Sequence, residues 1–372
     1  MFYENGMKNL TFTQKKKMDK TKILFILPTL TAGGAERVIS FIAQNIDKKK
    51  YDSKLLITGY KKDSAYSIDN IELDFLEKKR VLNAVPNIFW YLLKHKPKVV
   101  LSSIGHLNTV MSLMSPFFLK TKFIIREASV ISLMGQIHSD PNTKKTFSIY
   151  SFLSKKSYKM VDKIICQSKD MAEDFINIYN VKRQNIAVIN NPITNSHPLK
   201  QINSNSNKPV KFITVGRLSK EKGQLRIIKL LSKLQFPFIY TIIGDGPLKD
   251  EILEAIKKNQ LQDKVSYIPF TKEVSKHMAS NDMFLQGSYV EGFPNTVLES
   301  CFVGTPVLAF NVPGGTKEII QHEVNGYLVE NEEEYFFYLN NRLHLDAKNV
   351  RASVENRFDK KNILKQYESL LD

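Results

Sequence analysis

Short apolar runs alternate with amphipathic stretches along this chain, and the alternation occurs twice. In the first half, strands are expected at 22–27, 53–58, 98–103, 122–126, 163–166 and 185–189, with a helix over about 35–46 and others filling most of the gaps. The pattern breaks at 190–209, where Asn191-Pro192, His197-Pro198 and the run NSNSN punctuate a polar stretch. It restarts at Val210 with strands at 210–215, 238–243, 264–268, 282–286 and 306–310. Helices are expected at 223–234, 247–258, 273–279, 294–303 and 316–321. Strand–helix–strand order demands parallel sheets covered by helices on both faces. The chain therefore reads as α/β, with an extension at 1–20, a doubly wound domain at 21–190 and a linker at 191–209. A second doubly wound domain spans 210–349, and an amphipathic helix at 350–372 is expected to pack back towards the first domain. Ligands of such sheets sit at the C-terminal strand ends, so a cleft between the domains is the expected site.

Charge is shared unevenly between the halves. Residues 1–190 hold 31 Lys+Arg and 16 Asp+Glu, a net of +15, whereas residues 191–372 hold 23 and 21, a net of +2. The first half should therefore face something anionic: nucleic acid, a membrane surface or a phosphorylated substrate. Cys166 and Cys301 both lie in apolar segments, which points to buried thiols. No Cys or His spacing suits a metal. The first 20 residues are polar and lysine-rich, so no signal peptide is expected and the fold should begin near Lys22. Residues 99–119 carry no charge, but their serines, His106, Asn108 and Pro116 read as strand, turn and helix, not a membrane span.

The run GSYVEGFPNTVLE at 287–299 carries the most chemistry. Pro294 suits the first position of a helix, and Val297, Leu298, Cys301 and Phe302 fall on one face of it. Glu291 then sits in the entering loop and Glu299 on the helix, away from the core stripe. The free amides from Phe293 to Thr296 make that entrance an anion site. Two carboxylates beside it suit a sugar joined to a phosphate. Arg217 and Lys222, in VGRLSKEKG, lie between a strand end and a helix start, where cations are disfavoured unless an anion is present. Gly33 and Gly34 form a strand-to-helix turn that admits close approach of a ligand. Gly244 and Gly246, in IGDGPL, form another. Pro313-Gly314-Gly315-Thr316 is expected to be only a turn and cap, with Glu318 in the helix it opens. In the first domain His106, Arg126 and Glu127 follow strand ends and are expected to face the cleft.

Together, AGGAE at 32–36, VGRLSKEKG at 215–223, IGDGP at 243–247 and EGFPNTVLE at 291–299 followed by GTPV resemble a retaining glycosyltransferase of family four, the group 1 set, with the GT-B fold of two Rossmann-like domains. That resemblance implies a hexosyl- or N-acetylhexosaminyl-transferase. Arg217 and Lys222, beside Gly216, would bind the donor diphosphate, Glu299 the ribose, and Glu291 the sugar hydroxyls. The backbone from Gly292 through Phe293 and Pro294 to Asn295 would cradle sugar and phosphate, and Gly33 and Gly34 would line the diphosphate. Members need no metal; their co-substrate is a nucleotide-sugar, commonly a UDP-sugar. Where many carry histidine after the strand FII, this chain has REAS, with Glu127 as the nearest match. REAS-type sequences resemble bacterial transferases that build O-antigen, capsule or glycan chains on undecaprenyl diphosphate. They imply a cytoplasmic enzyme touching the inner face of an anionic membrane. Lysines and aromatics at 143–160 suit that contact; an amphipathic helix packed on its own domain reads equally well. A nucleotide-sugar epimerase of the same fold is the alternative, and a nucleic-acid-binding basic protein a weaker one, as no RNA-binding signature is present.

Overall fold

The computed structural model describes residues 19–138, 149–194, 197–201, 208–341 and 344–372. Seven strands form the first sheet: β1 (Thr21–Leu27), β2 (Tyr51–Ile57), β3 (Glu72–Phe75), β4 (Val99–Ser103), β5 (Lys122–Arg126), β6 (Lys163–Cys166) and β7 (Ile186–Val188). They pair parallel throughout in the order β3-β2-β1-β4-β5-β6-β7. Six strands form the second: β8 (Val210–Val215), β9 (Phe238–Ile243), β10 (Val265–Ile268), β11 (Met283–Gln286), β12 (Val307–Phe310) and β13 (Gly326–Val329). Their order is β10-β9-β8-β11-β12-β13, again all parallel. Each sheet reverses its winding once, between β1 and β4 and between β8 and β11, and leaves a crevice there.

The central strands are apolar on both faces because helices cover both. Ile23 through Leu27 are all buried, with alternate residues entering two separate cores. The second sheet divides in the same way. Two edge strands were not expected. The sequence ELDF of β3 is half exposed, and GYLV of β13 is short.

The tail is two helices, not one. Asp346 caps the helix Ala347–Glu355 and Asp359 caps the helix Lys360–Leu371, each accepting two amide N–H groups. Val350, Val354 and Phe358 join the core of the second domain, whereas Ile363, Tyr367 and Leu371 join that of the first. The chain thus crosses between domains inside the segment expected to be one helix. Among the described residues, no helix is long and apolar enough to cross a membrane.

Candidate active site

The C-terminal ends of both sheets meet across the cleft. In the second domain, the loop after β8 carries Arg217 and Lys222, and the loop after β11 carries Glu291. Lys222 Nζ lies 2.7 and 2.8 Å from the two Glu291 carboxylate oxygens. Ser288 Oγ donates to the same carboxylate at 2.6 Å and Gln286 Nε2 at 3.3 Å. Glu291 is buried, so its charge is held by three donors and not by water. Gly314 explains how the loop reaches this position. At φ +120°, it lies so close to the Glu291 carbonyl that a Cβ would sit 1.5 Å from that oxygen. Glu291 N–H donates to Pro313 O and Gly315 N–H to Gly292 O. The Pro-Gly-Gly turn, expected to be only a turn and cap, is therefore the floor of the loop that presents Glu291.

The helix Asn295–Val303 begins one residue later than expected, with Pro294 as its cap. Gly304 ends it at φ +87°. Among the described residues, the amides of Asn295 and Thr296 have no backbone acceptor, as befits the first turn of a helix. Of this run, Phe293 contributes only backbone to the cleft. Its ring is in the core against Phe358, 5.6 Å between centroids. The loops after β8 and β9 meet backbone to backbone: a Cβ on Gly244 would lie 2.0 Å from Gly216 O, and one on Gly246 2.4 Å from Leu218 O. Arg217 is exposed and makes no ion pair among the described residues.

Contacts across the cleft bring the first domain to these loops. Gly33 caps the helix Gly34–Asn45, and a Cβ on Gly34 would lie 3.0 Å from Asn295 Nδ2. Arg37, one turn further on, forms an ion pair with Glu299. Sequence reasoning passed over Arg37, although it lies four residues beyond Gly33, on the same helix. Arg37 and Lys222 thus pair one to one with Glu299 and Glu291, and Glu36 adds a buried carboxylate beside Gly33. A Cβ on Gly292 would lie 2.3 Å from Ala128 O, so the Glu291 loop abuts the end of β5. Glu318 was expected to be a simple first-turn acid. Instead it accepts from the Lys169 amide at 2.6 Å and from Asn190 Nδ2 at 3.0 Å, joining the two domains. Asp170 reaches back to the Gly314 amide at 3.0 Å and to Lys317 at 2.8 Å.

Arg126 does not face the cleft. It is fully buried, donating to Tyr367 Oη at 3.0 Å, Asn191 Oδ1 at 2.6 Å and Ser103 Oγ at 3.4 Å. Those partners come from the last helix, the interdomain segment and β4, so Arg126 binds three parts of the chain together. Asn191 passes the link on, donating to Asn295 Oδ1 at 2.7 Å. Glu127, the next residue, is buried beside Ala128 N–H at 3.1 Å and Asn108 Nδ2 at 3.5 Å. Burial pushes its carboxyl up to about 7. His106 is exposed in the first turn of the helix Gly105–Met114, just beyond Ile104, whose φ of +81° is one that β-branched residues rarely adopt. Of the lysine-aromatic stretch, residues 143–148 lie outside the described residues. Tyr158 is buried in the core against Phe175 and Tyr179, not turned outward. No group of three His, Cys, Asp or Glu able to hold a metal ion occurs among the described residues.

Two parallel-sheet domains closed on such a cleft form the GT-B fold. Solved structures share the fold: Anabaena HepE in complex with UDP-glucose superposes with a TM-score of 0.77 at 19% identity, covering 94% of this chain and 99% of that one. The lipopolysaccharide outer core galactosyltransferase WaaB gives 0.74 at 19%, covering 94% and 98%. Residues 32–196 match Glycosyltransferase Family 4 and residues 196–356 match Glycosyl transferases group 1, and the chain belongs to this glycosyltransferase family. A relative from Campylobacter jejuni is the N-acetylgalactosamine-N,N'-diacetylbacillosaminyl-diphospho-undecaprenol 4-alpha-N-acetylgalactosaminyltransferase, 26% identical over 90% of this chain and 93% of that protein. The amylovoran biosynthesis glycosyltransferase AmsD of Erwinia amylovora is 24% identical over 85% and 88%.

Proposed function

We propose that the enzyme moves a hexosyl or N-acetylhexosaminyl group from a nucleotide-sugar, a UDP-sugar by preference, to a glycan carried on a polyprenyl diphosphate, with retention at the anomeric carbon and without a metal. The observation that carries this reading is Glu291, buried and held by Lys222, Ser288 and Gln286 beside the free amides of a helix. In the reaction, the bond between the anomeric carbon and the β-phosphate oxygen breaks, and negative charge grows on the departing diphosphate. Arg217, Lys222 and the amides of Asn295 and Thr296 stabilise it. Glu291 holds the sugar hydroxyls and Glu299 the ribose, with Arg37 fixing the Glu299 carboxylate from the opposite domain. The acceptor hydroxyl attacks from the face that the diphosphate leaves, and a diphosphate oxygen takes its proton. Glu127 and His106 are assigned to the acceptor side. The diphospho-undecaprenol acceptor of the Campylobacter jejuni relative supports the polyprenyl-linked acceptor. UDP-glucose in the HepE complex supports the donor class. UDP-, GDP- and ADP-sugars should be compared by thermal shift, and the best used in transfer to a polyprenyl-diphosphate glycan. Glu291→Ala and Lys222→Ala should each lose at least roughly a hundredfold in turnover while staying folded. Wild-type rates in both would overturn the assignment.

A further inference from the structure

Glu291 and Ser288 belong to an irregular loop, and one cation outside that loop grips it. The helix Gln224–Leu231 carries Arg226 in its first turn. A cation at that end opposes the helix dipole. Arg226 is also half-buried, and no carboxylate pairs with it among the described residues. Burial draws its guanidinium below the ordinary arginine range. Its donors go to the loop after β11 instead. Nε donates to Gly287 O at 2.5 Å, and a terminal nitrogen donates to Ser288 O. Among the described residues, neither carbonyl accepts from another side chain. The guanidinium carbon lies 3.5 Å from the centroid of the Phe310 ring and 4.1 Å from that of Tyr289. Phe310 is buried at the end of β12 and stacks on Tyr335, 4.5 Å between centroids, which gives the guanidinium a fixed floor. Tyr289 is part of the loop itself and is half-exposed.

The loop bearing Lys222 lies against the same stretch of backbone. A Cβ on Gly223 would sit 1.9 Å from Gly287 O, and Tyr289 N–H donates to Glu221 O at 2.8 Å. The two loops that bring Lys222 and Glu291 together therefore touch directly, and Arg226 closes the contact from the helix that follows. Ser288 completes the path to the carboxylate. Its carbonyl accepts from the guanidinium, while its hydroxyl donates to Glu291 at 2.6 Å. A planar fork suits this place: it meets two carbonyls at once and lies flat on aromatic rings, which an ammonium does not.

We propose that Arg226 is a positioning residue for sugar transfer: by holding the carbonyls of Gly287 and Ser288 it sets the Glu291 carboxylate at the place where Ser288 and Lys222 meet it. Arg226 acts through these residues and not by contact with the donor. The proposal rests on the reading of Glu291 as the group that holds the donor sugar.

Deuterium exchange of the ligand-free full chain, read by mass spectrometry, tests the first half of this. The Tyr289 and Glu291 amides, bonded to Glu221 O and Pro313 O, should exchange roughly tenfold faster in Arg226→Ala, while peptides of the first sheet exchange as before. Millimolar guanidinium should restore the protection and methylammonium should not. Arg226→Lys, which keeps the charge but one prong, should lie between, and it carries the same test if the alanine variant does not fold. The second half is kinetic. With the nucleotide-sugar that gives the largest thermal shift, kcat of Arg226→Ala should fall by roughly tenfold or more, while the Kd of UDP, which has no sugar to hold, stays within about twofold. Unchanged exchange at 287–291, a wild-type kcat, or a loss of UDP affinity as large as the loss of kcat overturns the proposal. Failure of the transferase reading would show elsewhere, as wild-type rates in the Glu291 and Lys222 variants.

Discussion

Arg126→Met should unfold the protein far more readily while leaving the donor site's own side chains in place. Arg126 is fully buried, and it donates two short bonds, 3.0 Å to Tyr367 Oη and 2.6 Å to Asn191 Oδ1. Methionine fills most of the volume but donates nothing, so both acceptors lose a buried donor. An orphaned buried polar group costs about 1–3 kcal/mol. Two of them give a loss of about 3–5 kcal/mol, the range found when one partner of a buried charged network is removed. In a chain of this size, that corresponds to a fall of roughly 5 °C in melting temperature. Urea denaturation followed by circular dichroism measures it directly. Tyr367→Phe alone should cost about 1 kcal/mol, and less still in the Arg126→Met background, because its partner has already gone. A change in stability of under about 1 kcal/mol in Arg126→Met, together with reduced transfer, would refute a structural role for Arg126. That result would restore Arg126 to the acceptor side.

Two further predictions concern the loops. Burial raises the Glu127 carboxyl from 4.5 to about 7, so the folded state holds its proton more tightly than the unfolded chain does. The cost is absent below pH 4.5, grows as pH rises towards 7 and is then constant, at about 3 kcal/mol. Glu127→Gln should therefore raise stability relative to wild type at pH 8 and change it little at pH 4; an equal effect at both would refute burial as the cause. Gly314→Ala puts a methyl 1.5 Å from the Glu291 carbonyl in a backbone conformation that alanine avoids. It should displace the Glu291 loop, costing about 3 kcal/mol or more and most of the donor-induced thermal shift. An unchanged shift would mean that the turn does not set the position of Glu291.

The central strands were legible because they are unbroken apolar runs between turn residues. β5 (Lys122–Arg126), β8 (Val210–Val215) and β9 (Phe238–Ile243) have the bounds their sequence suggests. β3 and β13 were not, because edge strands with one covered face carry too short a signal. Lys222 and Glu291 were both singled out, but for separate parts of the donor; their pairing with each other arises because a doubly wound sheet sets the two strand ends side by side. Arg126 was misread for the opposite reason. A charged residue at a strand end looks cleft-facing, and its true partners lie 241 and 65 residues along the chain. Arg37 and Glu318 share that difficulty: each acquires its role from the other domain, and no local spacing announces such a partner.

The return of the last helix to the first sheet has a consequence for biogenesis. Ile363, Tyr367 and Leu371 complete a core begun by Ile23, so that core stays open until residue 371 has been added. The second lobe, whose core closes at Phe358, is whole before the first. A chain cut after Phe358 would display a finished second lobe and a first one with greasy flanks bare, ready prey for chaperones and proteases.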